Sequence, residues 1–249
     1  MYSIRRLLQT ESDFLSTAIK LKEMGYSYMQ FSGGPYQAQV IKRVSEKSGM
    51  PILLTHVPLD RIVNDTHALM DEHDSFHCKN IGLGFLPLDI IRNQTEFMRT
   101  IEKLEKAGEE MERNGFSLHY HNHHSEFFKY ENGTAFEYII HSAPHIYFTL
   151  DTYWVQYGGE DIFALLDCLQ GRIKCVHLKD YAIVYDSEKK LMTPAFAPVG
   201  EGTLRFSPMI EKMKRAGAEY FFVEQDDASD MENPLAPIER SIKYIRSKL

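Results

Sequence analysis

Four histidines (His119, His121, His123 and His124) and Glu126 fall within eight residues in the segment SLHYHNHHSEFF, residues 117–128. Imidazoles ligate divalent metals and carry protons near neutral pH, and each has two ring nitrogens that need partners or solvent. Such a cluster suits the mouth of a metal or substrate pocket; a histidine-rich surface loop is the competing reading of this segment alone. If Phe116 to Asn122 is a strand, alternation puts His119 and His121 on one face and Leu118 and Tyr120 on the other. Farther along, Asp151, His177 and Glu224 each close a short apolar run, as His56 does earlier. Two carboxylates and an imidazole suit a divalent ion of the Mn, Mg, Zn or Co type. No cysteine joins them, which argues against a structural zinc. A fourth donor from His121 or His119 would leave room for water or substrate. For each of these residues a strand-end polar group or helix cap is the plainer alternative.

A repeated pattern of strand and helix must position these groups. Tyr2 to Arg5 reads as the end of a very short first strand, and Glu11 to Met24 as a helix closed by Gly25. Strands follow at Tyr26 to Phe31, Pro51 to His56, Asn80 to Gly84, Phe116 to Asn122, His145 to Leu150, Ile173 to Leu178 and Tyr220 to Glu224. Between them the periodicity predicts helices at Gln37 to Ser48, Asp60 to His73, Gln94 to Arg113, Ala135 to Ile140, Asp161 to Leu169 and Phe206 to Ala216, with Ala236 to Ser247 closing. Ala182 to Gly202 reads as irregular. Short strands joined by helical crossovers pair in parallel. Their number and the total length favour a (β/α)8 TIM barrel with a short first strand, as one domain over residues 1–249, above an open doubly wound sheet. In such a barrel the C-terminal strand ends meet at one mouth, and His56, His121, Asp151, His177 and Glu224 would all arrive there. No nucleotide-binding fingerprint is present; Gly200-Glu201-Gly202 does not make one.

Composition narrows the partners. With 249 residues, 43% hydrophobic and 25% charged, the chain can bury a full core. A net charge of -7 argues against nucleic acid or an anionic membrane surface. Cys78, Cys168 and Cys175 are well separated and read as reduced thiols. The opening MYSIRRLLQTESD lacks the apolar core of a signal peptide, and no apolar run is long enough to span a bilayer, so a cytoplasmic location is expected.

Six segments carry a resemblance over nearly the whole chain: THVPLD (55–60), YHNHHSEF (120–127), LDTYWVQYGG (150–159), GRIKCVHLKD (171–180), VGEG (199–202) and VEQD (223–226). They resemble the sugar phosphate isomerase/epimerase family, which has a xylose isomerase-like TIM barrel. YHNHxxEF and DTYWV look like its branch that resembles the inosose dehydratases. The resemblance implies a divalent metal, Mn²⁺ before Co²⁺, Mg²⁺ or Zn²⁺, held by Glu, Asp, His and Glu. Asp151, His177 and Glu224 match the last three. Where many relatives end the fifth strand in glutamate, this chain has Tyr120-His121, with Glu126 further on. That departure weakens a symmetrical two-glutamate epimerisation, and His121 or His123 would take one of the protons instead. Relatives also carry more residues ahead of Tyr2 than the single Met1 found here. The expectations are a frayed first strand, an edge covered by another chain, or a start further upstream; a homo-oligomer stays open.

The expected reaction is isomerisation or epimerisation of a sugar or keto-sugar by proton abstraction next to a carbonyl, with the ion stabilising the enediolate. Glu224 is the expected base, His121 the partner acid or fourth ligand, and Lys179 a holder of substrate oxygen. His56 and Asn122 would bond hydroxyls, while Trp154 and Phe31 would stack on the apolar face of a small-molecule carbohydrate. Simple packing, bracing or solvation competes for each of these last residues. The alternatives are a dehydratase or lyase of the inosose type and a sugar-binding barrel without turnover. A metal-dependent nuclease on the same barrel fits poorly with the acidic chain.

Overall fold

The computed structural model describes residues 1–248. A 3-10 helix, Tyr2–Leu8, leads into α1 (Glu11–Met24), β1 (Met29–Phe31), α2 (Ala38–Ser48) and β2 (Ile52–Val57). Next come α3 (Leu59–Asn64), α4 (Thr66–Asp74), β3 (Asn80–Leu83), α5 (Leu88–Arg92), α6 (Gln94–Arg113) and β4 (Ser117–His121). A two-stranded loop, β5 (Lys129–Tyr130) and β6 (Gly133–Thr134), precedes α7 (Ala135–Ser142), β7 (Ile146–Asp151), α8 (Thr152–Tyr157), α9 (Ile162–Cys168) and β8 (Ile173–Leu178). A hairpin, β9 (Asp180–Asp186) and β10 (Leu191–Ala197), then α10 (Phe206–Ala216), β11 (Tyr220–Val223) and α11 (Leu235–Lys248) complete the chain.

Seven strands form a parallel sheet in the order β1-β2-β3-β4-β7-β8-β11, a nearly closed barrel ringed by helices. Every residue of β3 and β4 is buried, as strands covered on both faces must be. On β4, Leu118 and Tyr120 face the helices, while His119 and His121 face the barrel interior, so the expected alternation holds. From α6, Phe97, Ile101, Leu104 and Met111 recur at three- and four-residue spacing and pack onto the outer layer. Burial of each contributes on the order of 1.5–3 kcal/mol. The bounds read for α6, β8 and α10 coincide with the observed ones. Among the described residues no helix is long and apolar enough to cross a membrane.

Three expectations fail. Tyr2 to Arg5 lies in the 3-10 helix, kinked at Ile4 (φ -129, ψ 26), and Ile4 and Leu8 are buried in one apolar cluster with Phe14, Leu21 and Met29. The seam between β1 and β11 is instead bridged by side chains. The Tyr28 hydroxyl accepts from Phe221 N–H at 2.9 Å and contacts Phe221 O at 3.3 Å, and Gln225 N–H donates to Ser3 Oγ at 2.9 Å. The helix expected at Asp60 to His73 is broken at Asp65 (φ -123, ψ 30), where the Thr66 hydroxyl bonds back to Ile62 O at 2.7 Å. Lastly, Ala182 to Gly202 is largely the β9–β10 hairpin. Its Ile183 (50% exposed) and Met192 (60%) leave no buried face whose periodicity would betray a strand.

Candidate metal centre

The ends of β4, β7, β8 and β11 bring His121, Asp151, His177 and Glu224 together, all buried, each offering one ligand atom within 4.8 Å of the others. His121 Nε2 lies 3.5 Å from Asp151 Oδ2 and 4.0 Å from Glu224 Oε2. His177 Nδ1 lies 3.8 Å from Asp151 Oδ2 and 2.9 Å from Glu224 Oε2.

The outer contacts decide which way the ring protons point. His121 Nδ1 donates to Gly84 O at 3.0 Å, and a carbonyl can only accept. His177 Nε2 donates to Gln30 Oε1 at 2.6 Å. Both rings, when neutral, therefore turn bare lone pairs toward two carboxylate oxygens. Acceptors facing acceptors repel unless a cation or a proton lies between them, and against burial Asp151 and Glu224 raise the His121 pKa. Four donors tetrahedrally around an ion at about 2.1 Å would sit roughly 3.4 Å apart, and the observed pairs bracket that spacing. The residues fit a divalent ion. Gly84 is part of this arrangement, since a Cβ there would meet His56 Nδ1 at 2.5 Å.

Asp151 is held from both sides. Its Oδ1 accepts from Trp154 N–H at 2.9 Å, capping α8, and its own N–H donates to Asn122 Oδ1 at 2.9 Å. Lys179, 1% exposed, approaches Asp226 at 2.7 Å, Glu224 at 3.2 Å and Asp151 at 3.4 Å. Burial opposes its charge, but Asp151, Glu224 and Asp226 outweigh burial and raise its pKa. For Asp151, burial is likewise outweighed, by Lys179 and then His121, which lowers its pKa. Asp226 is pushed up to about 6 by burial and by the neighbouring Glu224. His177 is lowered mainly by burial, and His56 well lowered by burial and then by His121 and His177.

A cleft of about 560 Å³ opens over the cluster, with Ser32, His56, Phe85, His123, Lys179 and Asp226 in its walls. The His56 ring lies 5.3 Å from that of His121 and 5.6 Å from that of His177. Trp154 packs against His123 (5.3 Å) and His124 (5.0 Å), and Lys179 Nζ lies 4.9 Å from the Trp154 ring centroid. Asn122 Nδ2, His123 Nδ1 and Trp154 Nε1 are buried without a hydrogen-bond partner among the described residues.

Other expected residues lie elsewhere. Phe31 does not reach the mouth: it is 2% exposed and packs on Phe14 (5.5 Å) and Tyr36 (6.1 Å). His119 stands apart from the cluster, bonded to Asn80 Oδ1 at 3.1 Å and tilted against Tyr147. Glu126 is occupied by the Tyr120 hydroxyl (2.8 Å), His123 N–H (2.8 Å) and the Ser125 hydroxyl (3.1 Å). The sequence reading missed Gln30, Asp226 and Gly84. Only Gln30 left a signal, as a polar residue inside an otherwise buried strand.

A model of the family described as xylose isomerase-like TIM barrel matches residues 19–248. The chain belongs to that family. It is similar to an inosose dehydratase of Clostridium perfringens, 26% identical over 168 residues, covering 64% of this chain and 57% of that protein. The match thus spans little more than half of the relative's length. In fold it is similar to a sugar phosphate isomerase/epimerase from Parabacteroides distasonis, with a TM-score of 0.76, 20% identity, and coverage of 95% of this chain and 89% of that one. It is also similar to a xylose isomerase-like TIM barrel protein from Mycobacterium smegmatis, solved in complex with magnesium. There the TM-score is 0.72, with 13% identity and coverage of 96% of this chain and 88% of that one.

Proposed function

We propose that the protein is a divalent-metal-dependent isomerase or epimerase that removes a proton next to the carbonyl of a small keto-sugar. One observation carries this: four acceptor atoms from four different strand ends face a single point beneath an open cleft. His121, Asp151, His177 and Glu224 would hold the ion, Mn²⁺ before Co²⁺, Mg²⁺ or Zn²⁺. Such an ion supplies stabilisation of negative charge developing on a carbonyl oxygen.

The chain's own groups do the rest. Glu224 is the proton acceptor. His121 suits the ligand role better than that of partner acid, because its Nδ1 is committed to Gly84 O. His123, in the cleft wall with its Nδ1 unpartnered among the described residues, is the imidazole placed to exchange a proton on the other side. Lys179 and His56 hold substrate oxygens, and Trp154 forms an apolar wall. Asn122 braces Asp151 and keeps its Nδ2 free for a hydroxyl. We take residues 1–249 as one barrel domain working in the cytoplasm.

The substrate is uncharged in this reading. Among the described residues Lys179 is the one lysine or arginine lining the cleft, and three carboxylates already neutralise it. A phosphate would find no free cation there.

Loss of water, as in an inosose dehydratase, is the second reading. The engagement of Glu126 away from the cleft favours it, since one carboxylate base suffices for elimination. The protein loaded with Mn²⁺ should incorporate solvent deuterium into a keto-sugar or inosose. Label without dehydration supports isomerisation or epimerisation, and label with a dehydrated product supports the second reading. Absence of both across the panel would leave a binding barrel.

A further inference from the structure

Gln30, 3% exposed, is the polar residue of β1, Met29–Phe31, and it bridges two imidazoles. Its Oε1 accepts from His177 Nε2 at 2.6 Å, and its Nε2 lies 2.9 Å from His56 Nε2. A carboxamide oxygen only accepts and its nitrogen only donates. These two contacts therefore fix two ring tautomers at once. His177 carries its proton on Nε2, which leaves Nδ1 bare toward Asp151 and Glu224. His56 is bare on Nε2 and carries its proton on Nδ1. That N–H is only loosely engaged, 3.4 Å from Ser32 Oγ on the cleft wall.

We propose that Gln30 is a positioning residue that sets both tautomers, keeping His177 a lone-pair donor to a cation and making His56 a hydrogen-bond donor to a substrate oxygen. This rests on reading the cluster as a metal centre. A neutral imidazole carries its proton on one ring nitrogen only, so each ring has a tautomer to choose. The opposite amide orientation would reverse everything. His177 would then put a proton on Nδ1, 2.9 Å from Glu224 Oε2, and close the cation position with a hydrogen bond.

The consequence for recognition is a polarity. His56 would favour a carbonyl or a hydroxyl oxygen acting as acceptor, while the ring nitrogen that could accept from a hydroxyl is spent on Gln30. The contact also couples the two layers of the site, because a shift of Gln30 alters a ligand and a substrate contact together.

Histidine ring ¹H–¹⁵N correlation spectra at neutral pH in chelator read the tautomers directly. Wild type should show His177 protonated on Nε2 and His56 on Nδ1. In Gln30→Glu, whose oxygens only accept, His177 should keep its proton on Nε2 while His56 moves its proton from Nδ1 to Nε2. In Gln30→Met both preferences should be lost, and Mn²⁺ and Zn²⁺ affinity, measured by chelator competition, should fall about 10- to 100-fold. A wild-type His177 protonated on Nδ1, or Gln30→Met with both tautomers and both affinities unchanged, would overturn the proposal. If the tautomers respond as stated but wild type takes up neither Mn²⁺ nor Zn²⁺, the metal reading fails and with it the ligand half of this inference. The tautomer control by Gln30 would then stand alone.

Discussion

Replacing Lys179 by methionine tests the electrostatics of the centre in both directions. Methionine keeps most of the aliphatic stem and removes the ammonium. That ammonium lies 2.7 Å from Asp226, 3.2 Å from Glu224 and 3.4 Å from Asp151. At an effective dielectric of about 20, unit charges roughly 3.3 Å apart attract by about 5 kcal/mol, most of it offset by the cost of burying the charges. Breaking such a buried pair costs roughly 3–5 kcal/mol net. For a chain of this size about 1 kcal/mol moves the melting temperature by 2–4 °C. In chelator the variant should therefore melt about 6–20 °C below wild type. The three carboxylates then face a cation with no internal competitor, so local charge changes from three negatives and one positive to three negatives. Mn²⁺ should bind the variant more tightly and raise its melting temperature by more than it raises that of wild type. Thermal melts with and without Mn²⁺ give both numbers. An unchanged melting temperature in chelator, or a smaller Mn²⁺ shift than in wild type, would refute the reasoning.

Two further outcomes follow from residues away from the centre. Burial holds the His73 pKa at about 4, with its ring between Thr55 Oγ1 (2.7 Å) and Leu69 O (2.6 Å). Between pH 4 and about 6.5 the unfolded chain binds more protons at this residue, so the stability His73 contributes is full above about 6.5 and is lost as pH falls toward 4. From pH 7.5 to 5 that loss is about 2 kcal/mol, and urea melts of His73→Gln should show a shallower acid dependence by that amount; parallel curves would contradict it. Phe31→Ala should cost about 3–5 kcal/mol of stability with Mn²⁺ affinity unchanged, whereas a stable variant with impaired Mn²⁺ binding would mean that Phe31 belongs to the site after all.

What the sequence determined by itself is what repeats or alternates. The three- and four-residue spacing from Phe97 to Met111 marks α6 to its ends, because a helix buries one stripe whatever it packs against. Short, largely apolar runs closed by ionisable residues mark β2, β7, β8 and β11, since the walls of a parallel barrel are apolar and its polar groups gather at the strand ends. The alternation of His119 and His121 against Tyr120 follows from strand geometry alone. Tertiary structure decided everything that depends on a distant partner. Glu126 is four residues past Asn122 in sequence, yet Tyr120 and His123 take its oxygens, and no local pattern encodes that choice. Phe31 and Gln30 are neighbours on one strand, but alternation sends Phe31 to the helix side and Gln30 to the interior. Only the closing of the sheet from β1 round to β11 tells which of those faces meets His177, 147 residues away along the chain.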